Sequence, residues 1–459
     1  MTGSAGSRGR HLGLLVVALG AACSQSDGLL GRMTKEPSAD GGGQADGGGG
    51  GGGQAGCSLT SPVVTLQNQS TCTGRLASSL FSSALCVCNN LQLPNNLTTR
   101  GFDSSKGPPP PMGTAANNSG AAVGINGTYL STASAVDVAG SLTVAGPTAL
   151  QFLGNLLVRG DLRMGGNVTA TGLTTVARDA YLAGNFTGLG IFTVGGRLVH
   201  AGTVSAALLP PPPGGNQQQA VPILPPCPCE PSQLLDVAGL VANAKSTNDN
   251  SDLSPDVLAS ISGNRDWTMR CGRIYLSQIA GTGDVLVHVN GTSALFIDGS
   301  INLKGSLTFQ PAGGAELDVF VKQDLSVQGT LSLADQDRPA AGRISVGGSQ
   351  PIALTTRFVG NLYAPRARVT ASTALDVWGA IFASDFQGSS SANFFFDRDI
   401  VAVGTNCTAP LPPAGLCTQC EWCSGGTACV DGLCNLCRSD SDCCGQSACE
   451  SGSCVPLVR

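Results

Sequence analysis

A glycine every six residues is the feature that most restricts the fold. The series runs Gly154, Gly160, Gly166, Gly172, Gly184, Gly190, Gly196 and Gly202, with Arg178 at its one interruption. Between these positions apolar residues favour the second and fourth places: Leu156 and Val158, Leu162 and Met164, Val168 and Ala170, Ala180 and Leu182. Residues two apart share one face of a strand, and a small residue at each boundary permits a sharp turn. An α-helix is excluded, because interior glycine costs about 1 kcal/mol per residue and the apolar period is two. Gly140 and Gly146 share the period, offset by two. The rhythm returns in Leu295/Ile297, Ile301/Leu303, Leu307/Phe309, Val319/Val321, Leu325/Val327 and Leu331/Leu333, with Gly313/Ala315 the one weak window. The expected fold is mainly β: a parallel β-helix, or solenoid, of short hexad strands. With three hexads per coil, residues 139–206 give roughly four coils and 274–400 roughly seven, a stack of about 50 Å.

The rhythm divides the chain. Residues 57–105 form a cysteine-containing N-terminal cap, 106–207 a first solenoid part, 208–270 an insertion, 271–406 a second solenoid part and 407–459 a cysteine-rich tail. The insertion opens with the proline run Pro210–Pro213, and Pro225-Pro226-Cys227-Pro228-Cys229 follows. Leu234, Val237, Ala238 and Val241 then have helical spacing behind Ser232 as a cap. Leu76, Leu80, Ala84 and Leu85 give a second helix before Cys86. Both helices are expected to cap or brace the solenoid, whose free strand edges need covering.

The first 22 residues read as a signal peptide. Arg8 and Arg10 precede the apolar run 12–22, which at 11 residues is too short to span a membrane as a helix. Small residues lead into Cys23, the expected lipid-attachment site, although Leu19 stands four places before it rather than three. Residues 23–56 hold the anchor and a glycine-rich tether, flexible because glycine has the largest chain entropy. The expectation is an exported, lipid-anchored protein, at the bacterial outer membrane or cell surface.

Nineteen cysteines become an even set once Cys23 is assigned to lipid. Cys57, Cys72, Cys86 and Cys88 come early; Cys227, Cys229, Cys271 and Cys407 flank the middle. The tail holds Cys417, Cys420, Cys423, Cys429, Cys434, Cys437, Cys443, Cys444, Cys449 and Cys454. Even groups in an exported chain favour a disulfide framework, whose connectivity spacing does not fix. The CxxC spacings of the tail would also suit Cys₄ zinc. The stretch from Cys437 to Cys454 is similar to knottin-like modules, in which crosslinks replace a core.

Charged residues are 12% of the chain, against about 25% in ordinary domains. A net charge of −5 argues against nucleic acid. His11, His200 and His288 are the only histidines. No phosphate loop, nucleophile elbow or dinucleotide fingerprint occurs, and no cofactor is expected. Polysaccharide lyases and hydrolases on solenoids need clustered carboxylates with a base. Asp284, Asp298, Asp318, Asp324, Asp335, Asp337 and Arg338 are the candidates, and scattered acids more often solvate an outer face. Asp249 and Asp252 in the run Asn248–Asp252 are weak calcium candidates, since the run lacks the EF-hand glycine. The sequons at Asn126 and Asn290 read as solenoid turns.

Several segments resemble uncharacterised surface lipoproteins common in myxobacteria, with a glycine-rich solenoid and a cysteine-rich tail. They are Cys72–Phe81 with Ala84–Cys88, Thr98–Ser104, Asn248–Asn250, Leu362–Ala367 and Trp378–Ala383. The resemblance implies surface location and brings no activity. Where relatives often carry His-Tyr-Asp, this chain has Phe395-Phe396-Asp397, which points to packing or pairing at that position. The solenoid is distantly similar to that of the polymer-forming bactofilins, which lack an export signal. The functional expectation is a structural or adhesive, non-catalytic surface lipoprotein. Its partners would be the membrane, through the anchor, and surface glycans or matrix proteins. A polysaccharide-processing β-helix enzyme and a receptor-like module in the tail are the alternatives. Anchor, tether, rod and tail are expected to act in series, the rod holding the tail away from the envelope.

Overall fold

In every turn of the chain, apolar residues two apart point to a common interior, and three such strands close a triangle. The computed structural model describes residues 61–66, 69–109, 120–130, 135–403, 428–430, 433–435, 442–443, 447–450 and 453–456. These all fall in the second of two compact units, residues 54–459. On one face Leu150 pairs with Val168 and that with Phe186; on the next Leu156 pairs with Thr174 and that with Phe192. On the third Leu162 pairs with Ala180 and that with Leu198. All these pairings are parallel, and Leu156, Val158, Leu162 and Met164 are fully buried. The fold is a parallel β-solenoid of about 13 turns, a stack of about 60 Å at ~4.8 Å per turn.

Corners explain the glycine series. Successive turns are 18 residues apart there, and the Asn167 and Asn185 side chains each accept the backbone N–H of the residue one turn on, at 2.8 Å. A Cβ on Gly172 would stand 2.5 Å from the Gly154 carbonyl oxygen, so the stacked corners leave no room for a side chain. In the early turns of the second part the spacing lengthens to 22–24 residues. The strands Ser293–Ile297 and Leu317–Val321 grow to five residues, and residues 312–316 form a corner loop. Ala315 is buried in it, which accounts for the weak window.

Spatial order is not chain order. Strand Leu85–Val87 pairs with 381–383, Leu91–Gln92 with 386–387, and Leu97–Phe102 with the whole of Ala392–Asp397. The second part therefore comes first in the stack, and the turn built by residues 85–102 continues it on all three faces. Residues 85–102 are thus an internal turn, not the expected N-terminal cap. The chain enters and leaves the solenoid at this seam, with about half of the turns on either side. Helix α1 (Thr73–Leu80) lies against the 3₁₀ turn Arg398–Val401. A rod traversed from one end to the other is corrected accordingly: the solenoid is held near its middle.

The permuted order needs a return path, and residues 219–260 supply it. The stack's last strand, Asn216–Gln218, lies inside the segment expected as insertion, as does the first turn at 261–269. Between them the chain runs back along the third face. Cys227 exchanges hydrogen bonds with the Asn126 side chain at 2.8 and 2.9 Å, and Leu235 N–H donates to the Tyr363 hydroxyl at 3.0 Å. Disulfides Cys86–Cys227 and Cys88–Cys229 fix it, each spanning 141 residues. Both cross between the early and middle cysteine groups. Cys72, Cys271 and Cys443 are disulfide-bonded as well.

Both helices exist with shifted bounds. α2 spans Val237–Thr247, its cap being Asp236, whose carboxylate accepts Gly239 N–H at 2.9 Å, and not Ser232. Leu234 lies outside it. α1 stops at Leu80, and Leu85 already starts a strand, because its side chain is needed in the solenoid core. α2 buries Val237, Leu240, Val241 and Ala244 on the flank, so it braces rather than caps. In the tail, two antiparallel hairpins set Cys429 opposite Cys434 and Cys449 opposite Cys454.

Candidate functional site

The outward column of the third face changes character along the stack, from buried aromatic to half-exposed and charged. Beneath the return segment and α2, successive turns present Tyr275, Phe296, Phe320, Ser345, Tyr363 and Phe382, all buried. Phe296 stacks on Phe320 at 5.2 Å. Cys86 and Gly124 continue the column, and a Cβ on Gly124 would press within 3.1 Å of the Cys227 sulfur, so glycine eases the close approach of the return segment, hereafter the strap. Further along, Arg163 and Tyr181 occupy the same positions, half-exposed.

Arg163 and Tyr181 belong to a charged ridge at the adjoining corner. The Arg163 guanidinium lies 4.9 Å from the Tyr181 ring centroid, a cation–π distance, and 3.3 Å from Asp161. Arg197 donates to Asp179 at 2.9 and 3.1 Å and to the Tyr181 hydroxyl at 3.2 Å, while that hydroxyl donates to Asp179 at 3.0 Å. Burial pushes Asp179 upward, but the backbone N–H and guanidinium of Arg197 outweigh it and hold the carboxyl below its ordinary value. Burial and then Asp179 raise the Tyr181 phenol, and Asp179 raises Arg197. Arg178 approaches Asp161 only to 3.6 Å and is 65% exposed. Arg159 and Arg100 share Asp137 at 3.4 and 2.7 Å. The sequence carried the signal, one arginine per turn at 159, 178 and 197, but the hexad reading treated Arg178 as a missing glycine.

The carboxylates considered for catalysis are dispersed. Asp284 accepts Ser306 N–H at 2.7 Å and Asp324 accepts Gln350 N–H at 3.2 Å, both as corner stitches. Asp298 binds Lys322 at 2.6 Å and the Tyr275 hydroxyl at 2.9 Å. Lys322 is the main cause of its lowered pKa, while burial raises the Tyr275 phenol to about 12. Asp318 is buried against Arg343, which donates to both of its oxygens at 2.7 Å and to Glu316 at 2.9 Å. Burial opposes the Arg343 charge, and the two carboxylates more than offset it. Arg338 reaches Glu316 at 3.6 Å; Asp335 caps the following turn through its carbonyl.

In the run 248–252, the weak calcium candidate Asp249 is engaged by Arg273, while Asp252 is exposed. Both oxygens of Asp249 accept from the Arg273 guanidinium, at 3.0 and 3.3 Å, and Asn250 bonds the Tyr275 backbone at 2.7 and 2.8 Å. The Asx-rich run, with Ser251 at φ 49°, ties itself to the first turn. Among the described residues no three His, Cys, Asp or Glu side chains come together as a metal set. No described helix is long and apolar enough to cross a membrane. Cys23, Cys57, Cys407, Cys417, Cys420, Cys423, Cys437 and Cys444 lie outside the described residues.

Phe395 packs as its replacement of histidine suggests, stacked on Trp378 at 4.0 Å, with Phe102 edge-on to Trp378 at 6.5 Å. With Val359 these rings form a small second core outside the solenoid, bridging the seam. Residues 230–403 match the model of a domain of unknown function, DUF7305, which covers the strap's helix and the second part and ends at the seam. No curated protein and no solved structure matches the chain.

Proposed function

We propose that the chain is an exported, lipid-anchored surface protein with a structural and adhesive role, and that it is not an enzyme. The observation that carries this reading is the use of its polar side chains. The carboxylates of Asp284, Asp298, Asp318 and Asp324 stitch turn to turn or neutralise a buried arginine, which builds a rigid body. The two disulfides of the strap support export, since such bonds persist in oxidising compartments.

Cells producing the full chain, the Cys23→Ser variant or neither protein test the reading. Surface labelling and attachment to matrix-coated plates should both require the full chain. Release of reducing sugars from polysaccharides by the purified protein would instead establish the enzyme. Attachment that is lost on deleting residues 417–459 while the solenoid stays folded would place recognition in the tail.

A further inference from the structure

We infer that the arginine ridge is a binding surface for an acidic polysaccharide, a chain bearing a carboxylate on successive sugars. The inference deepens the adhesive reading and rests on it. Between residues 138 and 218 the only charged side chains are Arg159, Asp161, Arg163, Arg178, Asp179 and Arg197. Asp161, Arg163, Arg178, Asp179 and Arg197 join through Tyr181 into one network, and Arg159 pairs with Asp137, which Arg100 shares. With Asp137 and Arg100 included, five arginines face three aspartates, and the excess is positive on a chain whose net charge is −5.

Geometry selects an extended ligand. Arg159, Arg178 and Arg197 come from three successive turns, about 4.8 Å apart along the axis, a repeat close to one sugar ring. Their side chains are 43%, 65% and 54% exposed. A guanidinium takes a carboxylate through two parallel hydrogen bonds. Asp161 and Asp179 offer carboxylate acceptors to sugar hydroxyls between those anchors. The same two aspartates disfavour DNA, whose phosphates would face them without a hydroxyl to offer at each step.

The test uses the full chain and oligogalacturonate, followed by titration calorimetry at low salt. Binding is expected, weakening as salt rises because the contacts are charged and exposed. Neutral dextran should not bind. The double variant Arg159→Gln/Arg178→Gln should lose about tenfold in affinity, with an unchanged circular dichroism spectrum. Both residues are exposed, so folding is spared. No binding to oligogalacturonate, undiminished binding by the variant, or tighter binding to single-stranded DNA would each overturn the inference. Attachment of cells is read separately. Normal attachment by the double variant with no polyuronate binding by the parent sinks the ridge and spares the adhesive reading. Absence of the protein from the surface sinks the adhesive reading whatever the calorimetry shows.

Discussion

The backbone N–H of Ser104 donates at 3.0 Å to the carboxylate of Asp397, 293 residues further along the chain. The same carboxylate accepts Asp399 N–H at 3.1 Å and Ala340 N–H at 3.2 Å. One fully buried side chain thus ties the start of the N-terminal arm to two segments of the other arm. Ala340 N–H is buried and would cost about 1–3 kcal/mol without a partner, and the half-buried Ser104 and Asp399 donors would add less. Asp397→Ala should therefore lower stability by roughly 3 kcal/mol in urea titration and expose the 103–109 loop to protease. An unchanged midpoint would show that the clasp carries no weight.

The interior phase is tested by four substitutions. Leu303 and Val327 are buried, whereas Lys304 and Gln328 are exposed. Aspartate at either buried position places an unpaired charge in the core, a loss of roughly 3–5 kcal/mol, while Lys304→Asp and Gln328→Asp should stay within about 0.5 kcal/mol. Thermal melts of the four variants read this directly, and equal losses would mean that the inward and outward sets are exchanged.

Much of this was legible in the sequence. Between 154 and 202 the hexad rhythm specifies turn length, interior pairs and corners at once, because all three faces of those turns obey one rule. The order of stacking was not legible. Leu85, Val87, Leu91 and Leu97 are ordinary inward residues without a glycine period, and every turn presents the same ladder of hydrogen bonds. Nothing local in them says that their neighbours are Ile381 and Phe386. Pairing of Cys86 with Cys227 follows from that hidden order, so the spacing of the cysteines left the connectivity open. Ser232 and Asp236 are both reasonable caps; the turn at 230–234 decides for the second.

Removal of the strap disulfides should loosen the arms. By the chain-entropy model, a bond closing a loop this long contributes about 4–5 kcal/mol. Replacing Cys86, Cys88, Cys227 and Cys229 together by serine should lower the melting temperature. It should also let the turn at 85–102 of one copy stack on residues 375–397 of another, as in domain swapping. Light scattering after chromatography at rising concentration would reveal such dimers. A variant that stays monomeric and keeps its melting temperature would assign the strap no such role.

Acid should unfold the protein from below about pH 4, near the ordinary value for aspartate. The partners of Asp103, Asp179, Asp249 and Asp298 hold their carboxyls below it. Their contribution is present above the unfolded value and is lost as pH falls through the folded ones. Asp399 has the opposite sign: burial, with Asp397 beside it, raises its pKa, so protonation favours the fold. Urea midpoints between pH 2 and 7 should fall on the acid side, less steeply in Asp298→Asn. A flat profile would contradict the ion-pair account.

The seam itself is tested most directly by a photo-crosslinking residue at Thr98, partnered by Asn393 on one side and Asp137 on the other. Irradiation of dilute, monomeric protein, followed by mass spectrometry, should recover crosslinks to peptides containing both Asn393 and Asp137. Crosslinks to the neighbourhood of Asp137 alone, with none to residues 391–395, would mean that the N-terminal arm does not continue the stack begun by the second part.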